Sequence, residues 1–307
     1  MRRHHTQPLS QRTGISLVEV LVSLAIIGLL LALVLPAVQS SREAVRRIQC
    51  VSHLKQLATA TSLYASTHSV YPPSGGLDQP SFFVRLLPYI EQESLFRQFD
   101  LAKPMSEQRS LAVRRPTILV CPSDGVAGAD QFMRSFGGNM GWFVADTSAA
   151  LPGQASLNGV ITFLNNAPVN PDHVFDGLSN TAMISEMLPS GNNRARQLRW
   201  NETPSGPVFR RPVELLATDC LAAMTSYAWA RGTSWTDGGA SETLYDHVLP
   251  PNSRMCNWVY GADSIHSGRG VNVALCDGTV RFVSESIDVN VWRAIGSRNG
   301  KEVYSLH

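Results

Sequence analysis

Glu19 is the residue with the most chemistry to explain, because it is an acid inside an apolar run. Residues 15–38 read ISLVEVLVSLAIIGLLLALVLPAV. About 20 apolar residues cross a bilayer as a helix, so the run is long enough to span one. An ionised carboxylate in hydrocarbon costs several kcal/mol, so an acid there needs a partner that neutralises it. Ahead of it, residues 1–14 read MRRHHTQPLSQRTG, a polar and basic leader that ends at Gly14. A secretory signal core is shorter, holds no acid and ends at a small-residue cleavage site. Residues 15–38 fit none of these. On residue types alone, the plain reading is an uncleaved anchor with its acid near one membrane face.

A second group of reactive side chains lies near the C-terminus. His266 and Asp277 could hold a cation, or act as base and orienter. The structural reading is favoured: Asp277 makes a turn, and His266 sits in the loop that leads into the strand before it. Glu186 ends a candidate strand with no second acid at an interpretable spacing, which also favours structure over catalysis. Residues 176–181, DGLSNT, read as a turn into a strand, held by local Asp and Asn bonds, with a sugar-binding loop as the functional alternative. Trp142, Trp200, Trp229, Trp235, Trp258 and Trp292 read as core residues rather than a stacking surface for glycans or a partner. Asn201-Glu202-Thr203 has the form of a glycosylation triplet. No GxSxG, phosphate loop, HExxH or dinucleotide fingerprint occurs, so no motif points to an enzyme.

Composition bounds the rest. A chain of 307 residues suggests one anchor with one or two globular units. The net charge is +2, but the leader holds Arg2, Arg3 and Arg12 and no acid, so the chain without residues 1–14 carries −1. There is no basic patch that would imply nucleic acid as a partner. Basic residues before the anchor place the C-terminal bulk outside the cytoplasm. Of Cys50, Cys121, Cys220, Cys256 and Cys276, no two stand at CxxC spacing, so a zinc or thioredoxin-like site has no sequence support. An oxidising compartment allows disulfides, and the odd count leaves at least one thiol over.

The elements that must position these residues begin with a helix. Beyond Pro36, which should kink it, Ala44, Ile48, Val51, Leu54, Ala58, Thr61 and Ala65 form one apolar stripe. Ile15 to about His68 is then a single helix on the order of 80 Å long. Its organisation reads as a leader (1–14), a membrane or fibre-core helix (15–38), an amphipathic continuation (39–70) and a β-rich head (71–307). Tyr71 to Gly76 ends the helix through proline and glycine. Residues 81–100 predict one or two short helices broken at Pro88. Strands are predicted at Thr117–Cys121, Gly141–Ala145, Gly159–Leu164, Thr181–Glu186, Ser226–Arg231 and Trp258–Tyr260. Residues 188–220 and 233–257 read as loops or insertions.

The sharpest local pattern is VNVALC–DG–TVRFVS. Asp277-Gly278 between alternating runs predicts a two-residue type I′ hairpin. In that register Leu275 faces Val280 and Val273 faces Phe282, with Asn272, Ala274 and Arg281 on the other face. Residues 286–300 predict a short closing helix, with its cap in the Ser286 to Asp288 region.

Residues 14–19, GISLVE, with the basic leader and the apolar run, resemble the prepilin signal of type IV pilins and type II secretion pseudopilins. The resemblance implies cleavage after Gly14 by a membrane aspartyl peptidase, the prepilin peptidase, and N-methylation of Ile15. It also implies that Glu19 pairs with the N-terminal amine of a neighbouring pilin-like subunit. That makes Glu19 a registry charge neutralised across an interface. The family usually has phenylalanine where this chain has Ile15.

The stretches REAVRRIQCVSHLKQLATATSLYAS, FFVRLLPYIEQ, ILVCPSD, DGLSNTAMISE and HSGRGVNVALCDGTVRFVSESID resemble, in this order, a large bacterial family of prepilin-like proteins. Its members carry a C-terminal His–spacer–Asp-Gly element. The family usually has nine residues between the histidine and the Asp-Gly, where His266 to Asp277 has ten. The resemblance implies an α+β, pilin-like fold: a long N-terminal helix on a β-rich head with an antiparallel sheet and long loops. It implies a non-enzymatic subunit of a pilus or a secretion-type fibre, held in the inner membrane with its head in the periplasm or at the surface. The competing readings are a membrane-anchored binding module that does not polymerise and a tethered hydrolase. It further implies a Cys50–Cys121 disulfide on the helix–head seam, with Cys276 free. No cofactor is implied except Ca2+, which related pseudopilins bind in a C-terminal loop; Asp263, Asp277 and Asp288 are its candidate ligands.

Overall fold

Leu17 to His68 forms one helix, α1, in the computed structural model, which describes residues 17–124, 131–144, 156–163, 167–189, 231–253, 259–266 and 268–300. The chain divides into two units, Met1–Val45 and Arg46–His307. In the first, α1 exposes leucine, valine and isoleucine side chains from Leu17 to Val38, and it is long and apolar enough to cross a membrane. The helix continues through Pro36, whose missing N–H leaves the Ala32 carbonyl without its helical donor. The Ser23 and Ser41 hydroxyls donate to the carbonyls of Glu19 (2.7 Å) and Ala37 (2.9 Å), which keeps two polar groups bonded inside an apolar stretch.

In the second unit α1 buries Cys50, Leu54, Leu57, Ala58, Thr61, Tyr64 and Ala65. Steps of three and four put these on one face. The expected stripe began earlier, at Ala44. The structure corrects that start: Ala44 is exposed and Ile48 is 68% exposed, because coverage of the helix begins only at Cys50. After the Pro-Gly turn, Phe82–Leu86 is helical and capped by Ser81, whose hydroxyl accepts from the Val84 N–H. Pro88 opens a short 3-10 turn, Leu87–Ile90, and Glu93–Phe96 adds one more helical turn. The expected break at Pro88 is therefore a change of helix type.

Among the described residues seven strands follow: β1 Phe136–Asn139, β2 Phe143–Val144, β3 Ser156–Leu157, β4 Ala182–Glu186, β5 Leu244–Tyr245, β6 Gly270–Leu275 and β7 Val280–Ser284. Five make one sheet in the order β5-β1-β4-β6-β7, and β2 pairs with β3. The expected antiparallel sheet is mixed, because β5 lies parallel to β1 while the other pairs are antiparallel. The sheet is covered on both faces. Leu54, Phe82, Phe83 and Ala274 belong to one apolar cluster, and Val271, Val273, Leu275, Val283, Trp292 and Ile295 to another. Gly138 allows the close packing on the first side, since a Cβ there would stand 3.0 Å from Phe82 and Ile161. The second side is closed by the C-terminal helix Val289–Gly296, capped by Asp288, which accepts from the N–H groups of Asn290 and Val291. Asn139 ties the layers together: its Nδ2 donates to the carbonyls of Ala182 (2.7 Å) and Gly296 (2.9 Å).

Four strand expectations need correction. Thr117–Leu119 is a 3-10 turn set between Pro116 and Pro122, and Val120 after it is extended. Residues 159–163 form no strand; their backbone bonds go singly to neighbours, as from Ile161 N–H to Asn139. Val259 and Tyr260 are likewise not in a strand, and Trp258 lies outside the described residues. Of Gly141–Ala145 only Phe143 and Val144 are in a strand, and Ala145 lies outside the described residues, as does Ser226 through Ala230. The tryptophans Trp235 and Trp292 are core residues as expected, while Trp200 and Trp229 lie outside the described residues.

The hairpin forms, but in another register. Asn272 pairs with Phe282, Val273 with Arg281 and Ala274 with Val280. The Gly278 N–H donates to Leu275 and the Leu275 N–H to Thr279, so the loop has three residues, Cys276 to Gly278. This is a type I turn closed by a left-handed residue, Gly278 at φ +82. The one-residue shift moves Phe282 away from Val273 and leaves it 40% exposed, under the guanidinium of Arg47 at 4.9 Å. Burial on both faces of β6 made an alternating pattern a misleading guide to register.

Next to this sheet lies a buried neutral histidine. His247 stacks on Trp292 at 4.0 Å; its Nδ1 is 2.7 Å from the Trp292 carbonyl and its Nε2 is 3.2 Å from the Tyr245 hydroxyl. A carbonyl only accepts, so Nδ1 donates and the hydroxyl donates to Nε2. Burial holds its pKa down to about 3. Burial also pushes the neighbouring Asp246 up to about 6, against the pull of N–H bonds from Tyr260 and Val248 and of the Arg231 charge.

Because unfolded His247 takes a proton near 6.5 and folded His247 only near 3, stability from this group falls as pH drops through that interval. Asp246 acts in the opposite sense between its ordinary 3.8 and about 6. His247→Gln removes only the first effect. Denaturant melts of the full chain in micelles should show its acid-side loss between about pH 7 and about pH 5 reduced by on the order of 2 kcal/mol. Equal losses in the two proteins would refute a buried neutral His247. Gly278→Ala meets no neighbouring atom, so its cost is backbone strain alone, about 1 kcal/mol, with Gly278→Asn costing less in a thermal melt.

Candidate functional site

The strongest convergence of reactive side chains in the head lies where four segments meet. Cys50 comes from α1, and Cys121 follows the 3-10 turn at Thr117–Leu119. Glu186 ends β4, and His266 stands in the loop before β6. Cys50 and Cys121 are joined by a disulfide across 71 residues, with their Cα atoms 4.7 Å apart. His53, one turn on from Cys50, adds a bond from its Nδ1 to the Val120 carbonyl at 2.9 Å. Pro116 and Pro122 hold the segment out of regular structure, which lets Cys121 meet the helix.

Glu186 is the centre of the polar side. Its Oε1 lies 3.0 Å from His266 Nε2 and 2.9 Å from Asn272 Nδ2, and its Oε2 accepts the Asn272 N–H at 2.8 Å. His266 Nε2 is also 3.7 Å from Cys121 Sγ. The histidine and glutamate side chains are 1% and 3% exposed. A buried acid–base pair is stable only when its remaining valences are met, and Asn272 meets two of them. Around this pair lie further buried charges. Asp263 Oδ1 accepts from the Leu188 N–H at 2.8 Å and from Arg231 at 3.3 Å, and Arg231 also donates to the Gly261 carbonyl at 2.7 Å. Burial lowers the Arg231 pKa, and Asp263 opposes that shift. Burial raises Asp124 well above the carboxylate range; the Ser135 hydroxyl opposes it, and the charges of Glu186 and Asp263 add to it.

The residues singled out in the sequence fall as follows. Gly14 and Ile15 lie outside the described residues. Glu19 lies on the exposed, apolar part of α1. His266 stands with Glu186 and not with Asp277, which is in the hairpin turn, where its Oδ1 accepts the Thr279 N–H and hydroxyl. Asp263 pairs with Arg231, and Asp288 caps the C-terminal helix. Among the described residues no group of ligand atoms brings Asp263, Asp277 and Asp288 together. Asp176 to Thr181 is a turn into β4, with Gly177 at φ +92 and the Asn180 side chain donating to the Asp176 carbonyl. Cys276 is a buried thiol whose pKa burial pushes up to about 12. The Glu186–His266–Asn272 cluster was not read from the sequence as a unit. Its signal was present only as two isolated residues, 80 positions apart.

Among the described residues, neither member of the acid–base pair offers surface to a solute. Residues 9–35 match the prokaryotic N-terminal methylation motif, and residues 39–290 match the family described as a protein of unknown function, DUF1559. No curated protein and no solved structure matches the chain.

Replacing both Cys50 and Cys121 with serine should lower the stability of the full oxidised chain by about 4 kcal/mol, the loop-closure value for this separation. Paired denaturant melts of wild type and variant check it. A difference under about 1 kcal/mol would show that the bridge adds little to the fit of α1 on the head.

Proposed function

The chain belongs to the DUF1559 family, and from that premise we propose that it is a non-enzymatic, pilin-like subunit that assembles into a fibre through α1. Its N-terminal methylation motif identifies a prepilin-like protein that prepilin peptidase processes. The peptidase cuts between Gly14 and Ile15, and the new N-terminus of Ile15 is methylated. The motif and one apolar helix fit a single-pass anchor with its head outside the cytoplasm. In bacteria that anchor lies in the inner membrane, and the head faces the periplasm until assembly moves it into a type IV pilus or a secretion-type pseudopilus.

The observation that carries this reading is the motif at residues 9–35, which runs into the apolar and exposed part of α1, Leu17 to Val38, where Glu19 is the one acid. In a fibre, the apolar side chains of Leu17 to Val38 pack against copies of themselves or related helices. Glu19 then meets the N-terminal ammonium of a neighbour. Two opposite charges out of water compensate one another only in a defined geometry, so the pair sets the axial register of the subunits. A static tether gains nothing from an acid at that depth.

Mass spectrometry of protein from cells with an active prepilin peptidase should find N-methylated Ile15 as the first residue. Gly14→Leu should leave residues 1–14 attached. An intact N-terminus on the wild type would overturn the processing claim. Glu19→Ala should keep membrane insertion and cleavage while abolishing sheared or periplasmic filaments. Filaments formed as well by this variant would overturn the registry role of Glu19, and a wild type that is cleaved but never forms filaments would leave a membrane-anchored binding module as the better reading.

A further inference from the structure

We infer that Cys50, Cys121, His266 and Glu186 form a metal site when the two cysteines are thiols, and that the head has two alternative staples at one place. One ligand atom from each residue, two Sγ, Nε2 and a carboxylate oxygen, lies within 4.8 Å of the others, and all four residues are buried. Two thiolates, an imidazole and a carboxylate make a tetrahedral donor set of the kind Zn2+ prefers. Bond lengths of about 2.3 Å to sulfur and about 2.0 Å to nitrogen put neighbouring S and N ligands about 3.6 Å apart in a tetrahedron. Cys121 Sγ and His266 Nε2 already stand 3.7 Å apart. The two sulfurs, at 2.01 Å in the disulfide, must separate to about 3.8 Å, which side-chain rotation of the two cysteines supplies.

The surrounding groups suit a metal. Asn272 holds Glu186 with two hydrogen bonds, the kind of outer support that orients a carboxylate ligand. The four ligands come from α1, the segment before Pro122, β4 and the loop before β6, so a bound ion joins the two parts that the disulfide joins and adds β4 and the loop before β6. The change between the two forms balances simply. A dithiol reductant gives two electrons and two protons to the Cys50–Cys121 bond and becomes a disulfide itself. The cation then displaces the two thiol protons, binds His266 as a neutral imidazole through Nε2, and takes the Glu186 oxygen that now faces that nitrogen. Oxidation removes both thiolates and with them the site. The two forms exclude each other.

The test uses the full chain in detergent micelles, with Co2+ as a coloured probe for Zn2+. After anaerobic reduction with a phosphine, wild type should bind one Co2+ per chain at this site. It should show thiolate-to-cobalt charge transfer and the intense visible bands of a tetrahedral ion, and Zn2+ should displace them. Oxidised wild type and the reduced Cys50→Ser/Cys121→Ser variant should show none of these bands. Reduced His266→Ala should bind roughly tenfold or more weakly. The proposal fails if reduced wild type takes up no Co2+, or if the thiolate band survives in the double serine variant and so belongs to Cys220, Cys256 or Cys276. It fails also if His266→Ala binds as tightly as wild type. Should reduction unfold the head, the same titration is read by near-UV circular dichroism. Recovery of the native signal on adding Zn2+ supports the site, and no recovery overturns it.

Discussion

A carboxylate taken out of water must be met by donors, and the head of this protein is organised around one such acid, Glu186. It sits at the end of a central strand, buried, with three donors converging on it from His266 and Asn272. Those donors come from the loop before β6 and from β6 itself, so satisfying one charge aligns two strands and a loop. The cost of failing to do so is several kcal/mol, more than most single contacts in a fold contribute. The disulfide stands beside this pair and brings α1 and the Pro116–Pro122 segment to the same point.

The rest of the head follows from covering both faces of a small mixed sheet. Strand β6 is buried along its whole length, so its neighbours must supply apolar surface on both sides. The stripe of α1 from Cys50 to Ala65 belongs to one cluster, and the C-terminal helix, through Trp292 and Ile295, to the other. Two polar side chains inside the layers are held at both ends, Asn139 by two carbonyls and His247 by a carbonyl and a hydroxyl. Such groups specify position more than they add stability, because a misplaced one leaves a buried donor unmet.

Glu19 poses the same electrostatic constraint at the other end of the chain. Within the head, the chain itself supplies the partners of Glu186. Glu19 stands in a run of exposed apolar residues, a surface that suits lipid or other helices. The prokaryotic N-terminal methylation motif covers the first part of that run, residues 9–35. The buried acid of the head is met by donors of the same chain, while the acid of the anchor stands among apolar side chains.

The apolar anchor, the long helix and the closing hairpin were legible in the sequence because each rests on local signals: an apolar run of spanning length, 3.6-residue spacing, and Asp-Gly between alternating runs. Register was not legible. The three-residue loop at Cys276 to Gly278 and the buried second face of β6 defeat an argument from alternation, since alternation assumes one wet face. Thr117 to Cys121 looks extended and apolar, but the prolines on both sides and the bond to α1 decide its shape. His266, Glu186, Cys50 and Cys121 meet only in three dimensions, because 80 residues separate the first pair and 71 the second. Sequence alone determined that the chain carries an acid in a membrane-length helix and two cysteines within a family's shared segments. Tertiary structure decided which donors the buried acid finds, since desolvation is set by everything that packs around a charge and not by the residues beside it in the chain.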